Sequence, residues 1–364
     1  MTLLFFDGFE TYNDSTDMQL NGYGCVGNCS KTTIRTASPS PRSGLAYANF
    51  YDYLQGIDRP YAANVLDQAD ETLVIVGLAG RMEDPTGTYS SGRPFITLRG
   101  GTGGGSNIIS FFVDGTAIRC YYQTSTTLLF TTSSGVIGSA EWAYYEFKVY
   151  HHATDGYVEL RRNGVTIGSV GIDSSSASVN TGASSHSLRL MGINDNNALR
   201  CDDLYICNGD GSKNNDFLGD CIVECLRPNG DGTHKDFTPY PGDSSSAVAN
   251  FENVDDSTGP DEDTTYNEAD TLGDKDSYTL EDLSPGGEIY GVKRQAVVRT
   301  SDPGLRKIKI LSRINLTDYL GDEENLGMGW QYYLDLDEDN PDASSGEWSE
   351  SDINSMEIGV EVTS

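Results

Sequence analysis

The sequence predicts an all-β chain built as two β-sandwich domains, and three observations carry the prediction. In residues 142–170, WAYYEFKVYHHATDGYVELRRNGVTIGSV, Tyr145, Phe147 and Val149 alternate with Tyr144, Glu146 and Lys148, and Asp155-Gly156 and Asn163-Gly164 break the run. Period-two alternation punctuated by Asp-Gly and Asn-Gly is the pattern of consecutive antiparallel strands. No apolar stripe of useful length recurs at the helical period, while glycine, serine and tyrosine are abundant. A chain of 364 residues has room for two cores, and its charge divides it: 31 acids against 9 bases in residues 231–364, 24 against 15 in residues 1–230.

Taken in order, residues 3–6 read as a short buried strand closed by Asp7-Gly8. Strand-like segments follow at 72–78, 95–99, 108–113, 117–123 and 128–131, then the three-strand meander, then 187–191, 203–206 and 217–226, separated by turns such as Asp114-Gly115. Many short strands at this spacing predict a sandwich or barrel over residues 1–230. Beyond Asn229-Gly230-Asp231-Gly232 the chain turns acidic and rich in Ser, Asp and Pro, then resumes strand character at 247–251, 278–280, 288–299, 305–314 and 330–336. This second, smaller acidic β domain, residues 231–364, carries one short helix near its end. Ser349 is its N-cap, Asp352 lies three residues on, and acids fill the first turn. A last strand is expected over 357–362.

Charge and chemistry narrow the function. The net charge of −31 repels phosphate backbones and anionic headgroups, which argues against nucleic-acid or membrane partners. Residues 1–10 lack the basic and long apolar regions of a signal peptide, and no apolar run approaches a membrane span, so a soluble chain is expected. Of the seven cysteines, Cys25 and Cys29 flank a Gly-bearing loop and are the expected local disulfide. Cys221 and Cys225, if on one strand, lie about 13 Å apart and cannot bridge each other.

Two resemblances rest on particular motifs. FFDGFE at the start, the hairpin strands WAYYEFKVYHH and GYVELRRNG, and the closing RCDDLYICN are similar to concanavalin-A-like or laminin-G-like jelly rolls, covering residues 3 to about 228. In such folds the strand after Asp202-Asp203 pairs beside the first strand. The passages NNDFLGDCIVECLRPNGDGTHKDFTP, DEDTTY, GDKDSYTLEDL and GEWSESDINSMEIGVEV, over most of residues 214–364, resemble structural proteins of tailed bacteriophages. That resemblance implies a virion protein assembled in the host cytoplasm, such as a tail, fibre or capsid-decorating subunit, with copies of itself and other virion proteins as partners. It brings no functional-residue motif.

Candidate sites follow from residue chemistry. Retaining glycosidases on jelly rolls place alternating carboxylates on one strand. Here the alternating acids Asp335, Asp337 and Asp339 run into Asn340-Pro341-Asp342, so a solvated loop is expected and no catalytic residue is assigned. His151 and His152 stand in or near turns, with no serine or cysteine elbow. Asn208, Asp210, Ser212 and Asn214 supply oxygens at every second position of a Gly-bearing loop, a spacing that can wrap calcium, although the EF-hand pattern fails at Lys213. Such residues also make ordinary turns. For a host-surface glycan, Tyr12, Tyr23, Tyr51, Tyr53 and Tyr89 offer stacking surfaces, and Asn194, Asp195 and Asn197 offer hydroxyl partners, all in loops. A non-catalytic structural role is therefore the first reading, a glycan-binding adhesin the second, and a glycoside hydrolase a distant third.

Overall fold

The computed structural model describes residues 2–26, 32–37, 40–50, 56–60, 71–82, 94–100, 106–122, 127–152, 154–171, 187–192, 198–240 and 249–364. The chain forms two compact units, Met1–Glu10 with Asp14–Val223, and Thr11–Asn13 with Glu224–Ser364.

The first unit contains β1 Leu3–Asp7, β2 Gly24–Val26, β3 Thr32–Arg35, β4 Tyr47–Phe50, β5 Gly56–Pro60, β6 Leu73–Met82, β7 Ile96–Gly100 and β8 Ser106–Asp114. It continues through β9 Ala117–Tyr122, β10 Thr127–Thr131, β11 Glu141–Tyr150, β12 Tyr157–Arg162, β13 Val165–Val170, β14 Ser187–Met191 and β15 Leu199–Asn208. They form two antiparallel sheets. One runs β13-β12-β11-β6-β15-β4-β3 with β1 also on β15; the other runs β10-β9-β8-β7-β14-β5-β2. Apolar residues at alternate positions fill the space between them: Phe147 on β11 meets Phe111 on β8 with ring centroids 4.5 Å apart, and both are fully buried. The all-β jelly-roll architecture read from the sequence is present, down to the pairing of the closing strand with the first, Leu3 opposite Cys207 and Asp7 opposite Leu204.

Two features of this unit depart from the expectation. A short helix, α1 Ser15–Leu20, follows the first strand, with Asp14 accepting from the Thr16 and Asp17 amides as N-cap. The segment 217–226, expected as a strand, pairs with no sheet. Its first part lies instead along the outward face of β11 and β15. Asp216 takes Lys148 at 2.8 Å, the Phe217 ring lies 3.9 Å below the Arg161 guanidinium, and buried Glu146 accepts from the Gly219 amide at 2.8 Å and the Tyr205 hydroxyl at 2.7 Å. Polar outward side chains of the strands bind the segment's backbone, so it has no ladder partner to seek. Gly77 makes room for this arrangement: a Cβ there would sit 2.0 Å from the Tyr205 ring.

The second unit contains β16 Pro228–Lys235, β17 Thr238–Tyr240, β18 Tyr266–Glu268, β19 Lys275–Leu280, β20 Val292–Val298, β21 Lys307–Ile314, β22 Thr317–Asn325, β23 Gln331–Asp337 and β24 Glu357–Val362. An antiparallel sheet ordered β16-β19-β24-β21-β22 stands beside the ribbons β17-β18 and β20-β23. Helix α2, Glu350–Ser355, has the capping box expected of Ser349 and Asp352 and contributes Ile353 to a core with Leu280, Ile314, Trp348 and Met356. Of the strand expected over 247–251, residues 247 and 248 lie outside the described residues, and Asn250–Asn253 forms a 3-10 turn. It is held there because the Asn250 amide donates to both oxygens of buried Asp276 at 3.0 and 2.9 Å.

A charge hub ties four strands of this unit together. Asp318 on β22 meets Lys275 of β19 at 3.0 Å, Arg313 of β21 at 2.5 Å and His234 of β16 at 2.9 Å. Burial alone would raise its pKa, but the hydrogen bonds from Lys275 and Arg313, with the charge of His234, hold it down to about 2. A carboxyl depressed on folding stabilises above its unfolded value and loses that contribution as pH falls through the folded one. The expected result is that acid unfolding of this unit begins near pH 4 and steepens toward pH 2. Asp318→Asn should remove about 2 kcal/mol at pH 7 and flatten that limb. Denaturant titrations at pH 3 and 7 check this; equal losses at both would sink it.

Candidate functional site

Of the glycan candidates, Tyr23 is a correction. It is 2% exposed, its ring packs edge-on against Phe5 at 5.9 Å, and its hydroxyl donates to Asp7 Oδ2 at 2.8 Å. A tyrosine satisfied on both its apolar and polar sides is core, with no face left for a sugar. Tyr12, which belongs to the second unit, is likewise buried, its ring 5.6 Å from that of Tyr332 in the same unit. Tyr51, Tyr53, Tyr89, Asn194, Asp195 and Asn197 lie outside the described residues, as does Cys29, the expected partner of Cys25.

The candidate calcium loop is closed by its own hydrogen bonds. Asn208 is buried, its Oδ1 accepts the Asp210 amide at 3.1 Å, Asn215 donates to Gly211 O at 3.0 Å, and Asn214 adopts a left-handed φ of 51°. Ser212 follows Gly211, whose φ is 79°. These are the marks of a tight Asx-type turn. Among the described residues, no group of three or more His, Cys, Asp or Glu side chains has the geometry to hold a metal ion.

Sequence reasoning missed a buried carboxylate clasp. In the opening DGFE motif, Asp7 Oδ1 accepts the Phe9 amide at 2.9 Å and turns the chain through Phe9 at a φ of 68°. Glu10 then comes to lie between Gly8 and Gly44, where a Cβ at either position would sit 2.2 Å from its carboxylate. Burial, reinforced by the charge of Asp202, pushes the Glu10 pKa up to about 10, so Glu10 is a neutral acid at pH 7. Across from it, Asp202 accepts the Arg42 and Ser43 amides at 3.0 and 3.3 Å. Burial and the neighbouring Asp203 raise its pKa as well. Strict alternation would aim Asp203 into the core, but a bulge between Asp202 and Tyr205, with Asp203 at a φ of 50°, turns it outward. There it takes Arg42 Nη1 and Ser43 Oγ at 2.5 Å each and the Val223 amide at 2.8 Å. The same guanidinium donates to Cys221 O at 2.7 Å and binds Asp220. The clasp joins the first strand, the last strand and the segment after it.

The alternating acids of 335–339 are also corrected. Asp335 and Asp337 stand on β23, where Arg294, 5% exposed, meets Asp337 at 2.7 Å and Asp335 at 3.7 Å. His151 lies beside the turn as expected but is buried, and burial lowers its pKa to about 4.

The outward face of the β10-to-β2 sheet presents a different chemistry. In register across it run Tyr121 of β9, Ser110 of β8, Thr97 of β7 and Arg189 of β14. Arg119 stands opposite Phe112 on one side of this row, and Arg99 opposite Ser187 on the other. Arg99, Arg119, Tyr121 and Arg189 are partly buried. The Phe112 and Tyr121 rings meet edge-on at 5.2 Å. Thr97 and Ser110 are fully buried although they point away from the sandwich core, and neither hydroxyl has a hydrogen-bond partner among the described residues. Sequence spacing hid the gathering of three arginines, because positions 99, 119 and 189 meet only through the strand order. The readable signal was an arginine alternating with core residues, as in Leu188-Arg189-Leu190 and Ile118-Arg119-Cys120.

No protein-family model and no curated protein matches the chain. Among solved structures, the binding domain of Paraclostridial Mosquitocidal Protein 1 aligns at TM-score 0.38 and 13% identity, over 57% of this chain and 49% of that one. The receptor binding domain of botulinum neurotoxin C/D mosaic serotype aligns at TM-score 0.35 and 12% identity, over 52% and 43%. Caenorhabditis elegans galectin LEC-6 gives 0.26 and 13%, over 43% of this chain and 94% of its own. The chain spans less than half the length of the two toxin domains. Likeness at this level says nothing about ligand, and the fold rests on the sheet order itself.

Proposed function

We propose that the protein is a non-catalytic structural component of a tailed-phage virion that makes protein–protein contacts through its first unit. Beside the resemblance of residues 214–364 to phage structural proteins, one observation supports the contact role. Strands β10 and β13 end their two sheets side by side, and Phe130 of β10 packs so closely on Gly168 that a Cβ there would meet its ring at 2.4 Å. Neither TLLFT nor VTIGSV carries a charge or a proline, and Leu128 and Val165 are 47% and 66% exposed. Edge strands that avoid association carry such residues. The edge strand β22 of the second unit does, with Asp318, Asp322, Glu323 and Glu324.

Light scattering of the purified protein should show an oligomer that Leu128→Lys with Val165→Lys converts to monomer, and immunolabelling should find the protein in purified particles. A monomer absent from particles refutes the reading. Catalysis is not part of this proposal: the alternating acids Asp335 and Asp337 are engaged by Arg294. Among the described residues, no helix is long and apolar enough to cross a membrane.

A further inference from the structure

We infer that the second unit carries a binding site for a neutral saccharide, built on a strip of three aromatic rings, Tyr240, Tyr266 and Trp330. The inference concerns the second unit alone and stands or falls independently of the contacts proposed for the first. Tyr240 and Tyr266 are cross-strand partners in the β17–β18 ribbon, and their rings stack at 4.5 Å and 22°. Tyr266 then meets Trp330 edge to face at 6.0 Å. Trp330 stands just before β23 and Arg299 just after β20, one step beyond the Val298–Gln331 pair that ends that ribbon. The Arg299 guanidinium lies 5.0 Å from the centre of the Trp330 ring. The strip is open to solvent: Tyr240 is 42% exposed, and Tyr266 and Trp330 are partly exposed.

Aromatic pairs also stabilise two-stranded ribbons, which have little core of their own. That role needs no exposed carboxylate beside the rings, yet one is held there. Asp263 Oδ1 accepts the Trp330 indole N–H at 3.2 Å and pairs with Arg299 at 2.7 Å, while the Asp263 side chain stays 66% exposed. The turn before β18 sets it in place, with Asp261 accepting the Thr265 amide at 3.0 Å. A sugar ring has two matching parts: a C–H face that rests on the negative face of an aromatic ring, and a rim of hydroxyls that need an acceptor and a donor side by side. Asp263 and Arg299 are that acceptor and donor. Charge then selects among the ligands that stack on aromatic rings. With 31 acids against 9 bases in residues 231–364, the unit repels nucleic acids and sulfated or uronic polymers. A proline-rich peptide needs a groove between aromatic ridges, and rings stacked 4.5 Å apart leave none.

The test is native affinity electrophoresis of the full chain in gels holding laminarin, galactan, mannan, dextran or dextran sulfate, followed by tryptophan emission with whichever polymer retards it. At least one neutral polymer should retard the chain, and dextran sulfate should not. Tyr240→Ala, Trp330→Ala and Asp263→Ala should each weaken binding about tenfold, the loss of one stacked ring or one charge-assisted hydrogen bond. Tyr240→Phe keeps the ring and should bind like the parent. Leu316→Ala, at the closed end of the β21–β22 hairpin and away from the end that leads to Trp330, should change nothing. Trp330→Phe should still bind but lose the emission change, which puts the ligand on this ring. If Trp330→Ala melts below the parent, the comparison of Tyr240→Ala with Tyr240→Phe decides. Retardation by no neutral polymer, with or without capture on a polyproline resin, overturns the site. So does equal retardation of every variant, or stronger retardation by dextran sulfate. None of these outcomes touches the oligomer test of the first unit.

Discussion

Arg42→Ala should lower the stability of the first unit by about 3–5 kcal/mol, the usual loss when one partner of a buried ion pair is removed. Asp203 has no solvent exposure and Arg42 is 18% exposed, so the abandoned carboxylate cannot recover its loss from water. Arg42 also holds Cys221 O and Asp220, and its guanidinium covers the Tyr144 ring at 5.1 Å. Arg42→Lys keeps a charge but lacks the planar fork that spans Asp203, Cys221 O and Asp220, and should lose about half as much. Trp142, in the first unit, reports unfolding against denaturant separately from Trp330 and Trp348 of the second. An unchanged Trp142 midpoint in Arg42→Ala would mean that Ser43 and the Val223 amide satisfy Asp203 without help.

Arg294→Ala should have an effect of similar size, about 3–5 kcal/mol, in the second unit. It leaves Asp335 and Asp337 facing each other and strips Ser312 Oγ of its donor at 3.3 Å. The pH dependence distinguishes this from a simple packing loss. Burial already raises the Asp335 pKa, with Arg294 opposing. Without the arginine the rise is larger, opposed only by the Asp322 backbone hydrogen bond, and an acid raised on folding is stabilising in its protonated form. The variant should therefore regain more stability than the parent as pH falls from 7 toward 4. A loss independent of pH over that range would show that the variant lacks the stem of the side chain and not its charge.

What was legible in the sequence was what depends on neighbours in sequence. The meander at Trp142, the hairpin turn at Asn163-Gly164, where both residues take positive φ, and the Ser349 capping box are local codes, and each is found where expected. The place of the closing strand beside β1 follows from the family resemblance and not from any local code. What was not legible depends on partners far along the chain. The segment 217–226 has strand composition, yet the outward side chains of Glu146, Lys148 and Arg161 claim it. Tyr23 sits in a Gly-rich stretch that reads as a loop, and nothing local says that its hydroxyl reaches Asp7 sixteen positions back. Helix α1 did carry a local signal, Asp14 followed by Ser-Thr-Asp, but six residues are too few to show a periodic stripe. The boundary between the units falls at Val223, before the composition shift near residue 230, because residues up to Val223 are bound to the first unit through Asp203. The arginine face was invisible for the same reason.

The segment that crosses the outward sheet face has a mechanical meaning. Leu3 pairs with Cys207 at one end of the β1–β15 ladder, so tension applied between the start of the chain and the exit of β15 would peel that ladder one rung at a time, the weakest loading geometry for a sheet. The chain does not leave there. It is first fastened by Asp216 to Lys148, by Gly219 to Glu146, and by Cys221 and Val223 to the Arg42–Asp203 pair. A pull on residue 224 meets these fastenings before it reaches β15, and the unit yields only after bonds spread over β11, β15 and the Arg42 loop have broken together.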